Sequence, residues 1–171
     1  MNPQTEAVTY LNMTDVRRIN WVSQFLIEAK AYDLETIYGR EDIGFFADPS
    51  GTPESLIDHC VDALVGDDPL YCMLHGSLSR LEIVLVMAYR EKAEVIKFSD
   101  THADILQILL GINRLIQPEY EIRYWQEHPE GEYPLFFPLQ KLEWDALERW
   151  HGKEKIQGLF EALTEKTFIS F

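Results

Sequence analysis

Apolar side chains recur along this chain with two spacings, one helical and one alternating, and the switches between them delimit its elements. Thr14 and Asp15 precede a stripe of Ile19, Val22, Phe25, Leu26 and Ala29, which predicts an amphipathic helix over about residues 14–31. Residues 39–51, ending in Asp48-Pro49-Ser50-Gly51, read as a loop, because Pro and Gly there impose turn dihedrals. Thr52 then offers an N-cap and Pro53 a preset first helical φ. The helix they open carries Ile57, Cys60, Val61 and Leu64 on one stripe and runs to about residue 65, where Gly66-Asp67-Asp68-Pro69 ends it.

Residues 81–89 are rich in β-branched side chains (Ile83, Val84, Val86), and a second apolar run over 93–98 follows the polar Arg90, Glu91 and Lys92. The pair predicts an antiparallel hairpin, with a helix over 78–89 as its rival, since a short apolar run has no decisive period. Thr101 and Asp104 resemble a capping box before Ile105, Leu106, Ile108, Leu109, Leu110, Ile112, Leu115 and Ile116. A helix with so little polar face is covered on most sides, which places this segment at the centre of the expected fold. Weak alternation over 121–126 and an apolar run over 133–137 flank a polar tip, Glu127-His128-Pro129-Glu130-Gly131-Glu132, and predict a second hairpin closed by Pro138. Leu142, Ala146, Leu147 and Trp150 mark a helix over about 140–150 that stops at Gly152, and Ile156, Leu159, Phe160 and Leu163 mark a last short one. Helices and hairpins without strict βαβ alternation indicate an α+β fold. With no Ser/Gly-rich or Pro-rich linker, residues 1–171 read as one domain, with 1–12 as a loosely ordered arm.

Charge narrows the range of partners. The 29 acidic side chains against 15 basic give a formal charge of −14. Phosphate-backbone binding draws its affinity from Lys and Arg, so this balance argues against direct nucleic-acid binding and points to a basic protein partner. Arg80, Glu82, Arg90 and Arg114 interrupt the longest apolar stretches, none of which reaches the ~20 residues of a membrane span. The N-terminus lacks a signal-like pattern, and two cysteines, Cys60 and Cys72, are too few for a disulfide framework. The expected setting is the cytoplasm, with reduced thiols and no membrane.

Residue type and spacing single out several chemical candidates. His59, Cys60, Cys72 and His75 include a C-x-x-H spacing, but adjacent helical residues point about 100° apart and Cys60 fits the apolar stripe, so zinc is not expected. Asp100, His102 and Asp104 would project to one side of an extended segment, whereas a helix start capped by Thr101 accounts for the same residues without a ligand. Asp58 and Asp62 stand four apart on a helix face, where like charges ordinarily stay solvated. Cys72, Ser77 and Ser79 lie near His75 without the G-x-S-x-G elbow of a hydrolase, and no Gly-rich phosphate loop occurs. No catalytic residue, metal or cofactor is assigned.

The final third gathers Tyr120, Tyr124, Trp125, Tyr133, Phe136, Phe137, Trp144 and Trp150, most of them suited to a core. Trp125 and the acidic tip residues Glu127, Glu130 and Glu132 are the expected partner-binding set, because aromatic anchors beside charge are typical of interfaces. Tyr120-Glu121-Ile122-Arg123, Leu135-Phe136-Phe137-Pro138-Leu139, Trp144-Asp145-Ala146-Leu147-Glu148 and Gly152 together resemble a bacterial domain family of uncharacterised function, with a strand, strand, W-x-x-L-E helix ending. That resemblance covers about the last 70 residues and carries no catalytic residues with it. In size and charge the chain is also similar to immunity proteins that neutralise toxins. The expected function is an acidic binding protein of the immunity or inhibitor type. The alternative is a carboxylate- and His-based hydrolase, metal-dependent or not, with Asp58, Asp62, His75, Asp100 and His102 as its first candidates.

Overall fold

The computed structural model describes residues 13–66, 68–77, 82–98 and 103–169, and at residues 13–15, 77, 82, 98, 103 and 104 the backbone alone. The expected arm over 1–12 and the candidates Ser79, Asp100, Thr101 and His102 lie outside the described residues. The fold is α+β, with helices and antiparallel sheets.

Helix α1 (Met13–Val22) continues as a π-helical turn, Ser23–Ile27, and so ends short of residue 31. Its predicted stripe is real: Ile19, Val22 and Leu26 are buried. A short helix α2 (Leu34–Tyr38) follows, started by Asp33, whose carboxylate accepts from the Thr36 hydroxyl at 2.6 Å. One buried residue, Ile37, is too little to leave a period in the sequence. Within the expected loop, Phe45–Phe46 form a two-residue strand, β1. Gly44 permits this pairing, because a Cβ there would stand 2.6 Å from the Phe137 ring. Helix α3 (Pro53–Ala63) begins as its sequence requires, with Thr52 accepting from the Ser55 N–H at 3.2 Å and Pro53 in the first turn.

Strands β2 (Leu70–Ser77), β3 (Glu82–Tyr89) and β4 (Lys92–Phe98) form a three-stranded antiparallel sheet in that order. The β3–β4 pair is the predicted hairpin, and residues 82–89 are strand rather than helix. Strand β2 has no counterpart in the sequence reading, because Tyr71 and Met73 are apolar as Leu70, Cys72 and Leu74 are, which blurs the alternation. The β3–β4 turn sets Arg90 at φ 53°, a conformation costly for a side-chain-bearing residue. Its guanidinium is held by Asp68 at 2.7 Å and Glu119 at 2.6 Å.

Helix α4 (Ala103–Ile116) lies against β3, β4 and the second sheet, and buries Ile108, Leu109, Ile112, Leu115 and Ile116. Gly111 lets it approach closely, since a Cβ there would meet Ile96 at 2.6 Å. Its cover is partial: Gln107 and Arg114 face solvent, Leu106 and Leu110 are half-buried, and the helix serves one of two core clusters.

The second sheet has the order β1, β6, β5, β7, with β5 spanning Tyr120–Trp125, β6 Leu135–Gln140 and β7 Phe160–Ala162. Tyr120, Ile122, Tyr124, Phe45 and Phe136 face the first cluster, whereas Trp125, Leu135, Phe137 and Leu139 face the second. Burial on both faces explains the weak alternation of this pair. Pro138 does not close β6. It lies opposite Ile122, whose N–H donates instead to Asn113 Oδ1 at 2.8 Å, so the missing proline donor faces away from β5. Helix α5 (Lys141–His151) follows directly and stops at Gly152, φ 90°. The last helix, α6 (Lys153–Leu159), is shorter than the pattern implied, since Phe160 turns into β7 and pairs with Trp125. Leu142, assigned to the apolar stripe of α5, is instead exposed.

Arg18 of α1 joins these layers. Its guanidinium donates to Glu143 at 2.9 Å and to the carbonyls of Asp42, Ala63 and Pro138, and both charged side chains are buried. Glu143 in turn accepts from the Gln140 N–H at 2.7 Å, fixing the start of α5. Arg18→Met should destabilise the fold by about 3–5 kcal/mol, because it strands a buried carboxylate. Adding Glu143→Met should recover only part of this, since three carbonyls still lose their donor. Denaturant titration of the two variants checks both. By the same measurement, Leu109→Ala should cost about 2–5 kcal/mol through lost burial and the cavity left behind.

Candidate functional site

The three-stranded sheet uses only one face for the core. Leu70, Leu85, Met87, Tyr89 and Ile96 point inward. The opposite face is set by register: Tyr71, Ala88 and Ala93 form one row, Met73, Val86 and Val95 a second, and His75, Val84 and Lys97 a third. An antiparallel sheet with one wet face ordinarily places polar residues there. Seven of the nine positions in these three rows are apolar and none is acidic, although the chain as a whole has a charge of −14; a fourth row, Ser77 opposite Glu82, puts one acidic position at the end of the same face. Tyr71 is 66% exposed, Met73 58% and Val95 57%, so among the described residues nothing shields them. An open apolar patch of this kind marks a surface that binds something.

The acidic tip is a second exposed feature, and it is anchored. Tyr32 donates to the Glu127 carboxylate, Tyr38 to the Tyr133 carbonyl at 2.9 Å, and Tyr124 bonds His128 at 3.0 Å. Burial, reinforced by Glu127, pushes the Tyr32 hydroxyl up to about 12; burial and the charge of Glu132 do the same for Tyr38. Glu130 and Glu132 remain exposed at the rim. Trp125 does not join them. It is 0% exposed, packed edge-on against Tyr32 at 4.8 Å, so it supports the tip from beneath instead of presenting a contact surface.

Most of the sequence-derived chemical candidates are kept apart. Cys72 and His75 lie three apart on β2 and therefore point to opposite faces of the sheet. His75 sits on the outer face with Met73 at 2.9 Å, whereas Cys72 packs inward toward α3. Cys60 is fully buried in the stripe that predicted it, and burial pushes its thiol up. Burial also raises the Cys72 thiol, with Asp58 and Glu54 adding to the effect, so neither cysteine is held as a thiolate. His59 rests against the Phe46 ring at 5.2 Å. Asp58 and Asp62 are exposed on α3, across the sheet from His75. Among the described residues no three His, Cys, Asp or Glu side chains gather as metal ligands, and no helix is long and apolar enough to cross a membrane.

The residues of the resembling motifs form one packed unit. Arg123 of β5 is held by Glu121 at 2.8 Å and by Glu148 of α5 at 2.9 Å, and its guanidinium lies 4.4 Å from the Trp144 ring centre. Trp144 donates its indole N–H to the Glu121 carbonyl at 2.8 Å. Every charge in the unit is paired, Asp145 with Lys141 at 3.2 Å among them.

One polar cluster escaped the sequence reading. Ser23 Oγ and His151 Nε2 are 2.9 Å apart, and His151 Nδ1 faces Glu28 Oε1 at 3.8 Å. The serine and histidine are 128 positions apart, so no local pattern could pair them. Burial holds the His151 imidazole below its ordinary value, Glu28 opposing and Lys155 assisting the shift. Comparison with protein-family models, curated proteins and solved structures returns no match.

A histidine whose protonation folding disfavours contributes stability above its unfolded pKa of about 6.5 that is lost as pH falls below it. The melting temperature should therefore decline as pH is lowered from about 7.5 to about 5.5, a window above the carboxylate range. His151→Gln should flatten that slope, as thermal scans across the window will read.

Proposed function

We propose that this chain is a binding protein of the immunity or inhibitor type, which holds a basic protein partner through the outer face of the three-stranded sheet. The carrying observation is the part of that face from Tyr71 to His75: three consecutive rows of outward positions, mostly apolar and without a carboxylate, on a strongly acidic protein, with Glu82 in the row beyond them. Desolvating a carboxylate in an interface is costly, so an acid-free patch is where such a protein can make a dry contact. Tyr71, Met73 and Val95 supply the protruding anchors, and Val86 at the centre of the grid supplies the floor. The net charge acts at longer range. It speeds encounter with a basic partner and discriminates against acidic ones, with Glu127, Glu130 and Glu132 as a peripheral part of that field.

The test is affinity capture from the native host with wild type and Val86→Asp side by side. The reading expects a basic protein retained by wild type and lost, by about 100-fold or more in affinity, from the variant. The melting temperatures should stay close, because Val86 lies outside the core clusters. A partner that binds both alike, or sedimentation showing a wild-type dimer that Val86→Asp dissociates, overturns it.

The tip makes a separate, kinetic prediction. Replacing Glu127, Glu130 and Glu132 by Gln should slow association with that partner at low salt and weaken its salt dependence, while dissociation changes little. Stopped-flow rates at two ionic strengths measure this.

A further inference from the structure

We propose that Ser23, His151 and Glu28 form a nucleophilic site for acyl transfer from small esters, with Ser23 Oγ as nucleophile, His151 Nε2 as its base and Glu28 as the positioning carboxylate. The geometry carries the assignment. A serine hydroxyl 2.9 Å from an imidazole nitrogen is in place to lose its proton to it. A hydroxyl bonded to an imidazole also arises as plain satisfaction of two buried polar groups. What distinguishes this pair is the third member: Glu28 faces the other ring nitrogen at 3.8 Å and favours the tautomer that carries its proton there, leaving Nε2 free to accept from serine. With the imidazole neutral, 3.8 Å is longer than a hydrogen bond, and the pair closes to an ion pair when the imidazole takes the serine proton.

The backbone sets this up. Ser23 opens the π-helical turn, a feature common at functional sites, and the same turn brings Glu28 round so that its N–H bonds the Ser23 carbonyl at 2.9 Å. His151 comes from the last turn of α5, where Gly152 ends the helix. An imidazole held below its ordinary value is neutral at pH 7, the form a base requires. Ser23 is 9% exposed, which restricts access to small acyl groups.

The chemistry balances without a cofactor. Ser23 Oγ forms a bond to the ester carbonyl carbon as its proton passes to His151 Nε2. The tetrahedral intermediate then expels the alcohol, which takes that proton, and leaves an acyl-serine. Water adds to the acyl carbon while giving a proton to His151, and collapse releases the carboxylic acid and restores the serine hydroxyl. The site shares no residue with the sheet face, so the two readings stand or fall separately.

The full chain treated with a fluorophosphonate ester decides the matter, read by intact mass and peptide mapping, with the burst of nitrophenol from p-nitrophenyl acetate as a second signal. The proposal expects one adduct per chain, on Ser23, with a rate that rises with pH to a midpoint below about 6.5. Ser23→Ala should be unlabelled, and His151→Gln should be slowed by about 10²-fold or more. Glu28→Gln should keep the site but move the midpoint to lower pH, a shift that a merely structural role would not produce. Folded wild type that gives no Ser23 adduct, or His151→Gln that labels at the wild-type rate, overturns it.

Discussion

A buried guanidinium has five donors and no way to shed its charge, so wherever Arg18 settles, the surrounding backbone must supply acceptors. The acceptors here come from four separate parts of the chain: the loop before β1 (Asp42), the end of α3 (Ala63), the middle of β6 (Pro138) and the first turn of α5 (Glu143). Pro138 is central to this arrangement. A proline in a paired strand leaves one side of the ladder without a donor, and Arg18 occupies that side, donating to the Pro138 carbonyl at 3.4 Å. Beyond the short β1, the sheet edge is thus finished by a side chain from α1 instead of another strand.

That closure lets the β5–β6 pair be buried on both faces. One face meets α3 and α4, and α4 in turn packs on the three-stranded sheet; the other meets α1, α5 and α6. The consequence for function lies at the far side of the stack. With the four-stranded sheet covered twice, the three-stranded sheet is the outermost layer, and its outward face is left open with Tyr71, Met73 and Val95 uncovered. The same stacking separates residues that are close in sequence, as with Cys72 and His75, and joins residues that are far apart, as with Ser23 and His151.

Charge is handled in two ways. Where carboxylates enter the interior they are paired, as Glu143 is with Arg18 and Glu148 with Arg123. Elsewhere they remain at the surface, where their effect is on encounter and is screened within about 8–10 Å. The three rows from Tyr71 to His75 are excluded from this distribution, with Lys97 and His75 their only ionisable groups besides the Tyr71 phenol, and Glu82 follows in the next row.

Elements with a local cause were legible in the sequence. The α3 start follows from Thr52 and Pro53, the stop of α5 from Gly152, and the β3–β4 hairpin from β-branched runs on either side of a polar turn, because capping, φ preference and period act over a few residues. Elements made by pairing were not. Strands β1 and β7 are two and three residues long and exist because β6 and β5 offer them a free edge. The exposure of Tyr71 and Met73 and the burial of Trp125 depend on which face of which sheet is covered, and the Ser23, His151 and Glu28 cluster depends on where two helices end. Sequence by itself determined the α+β class, the cysteine in an apolar stripe and the acidic surface, all of which follow from residue type and local spacing. Tertiary structure decided the open sheet face and the polar cluster, because contact between distant segments is a property of layer order, which no local pattern encodes.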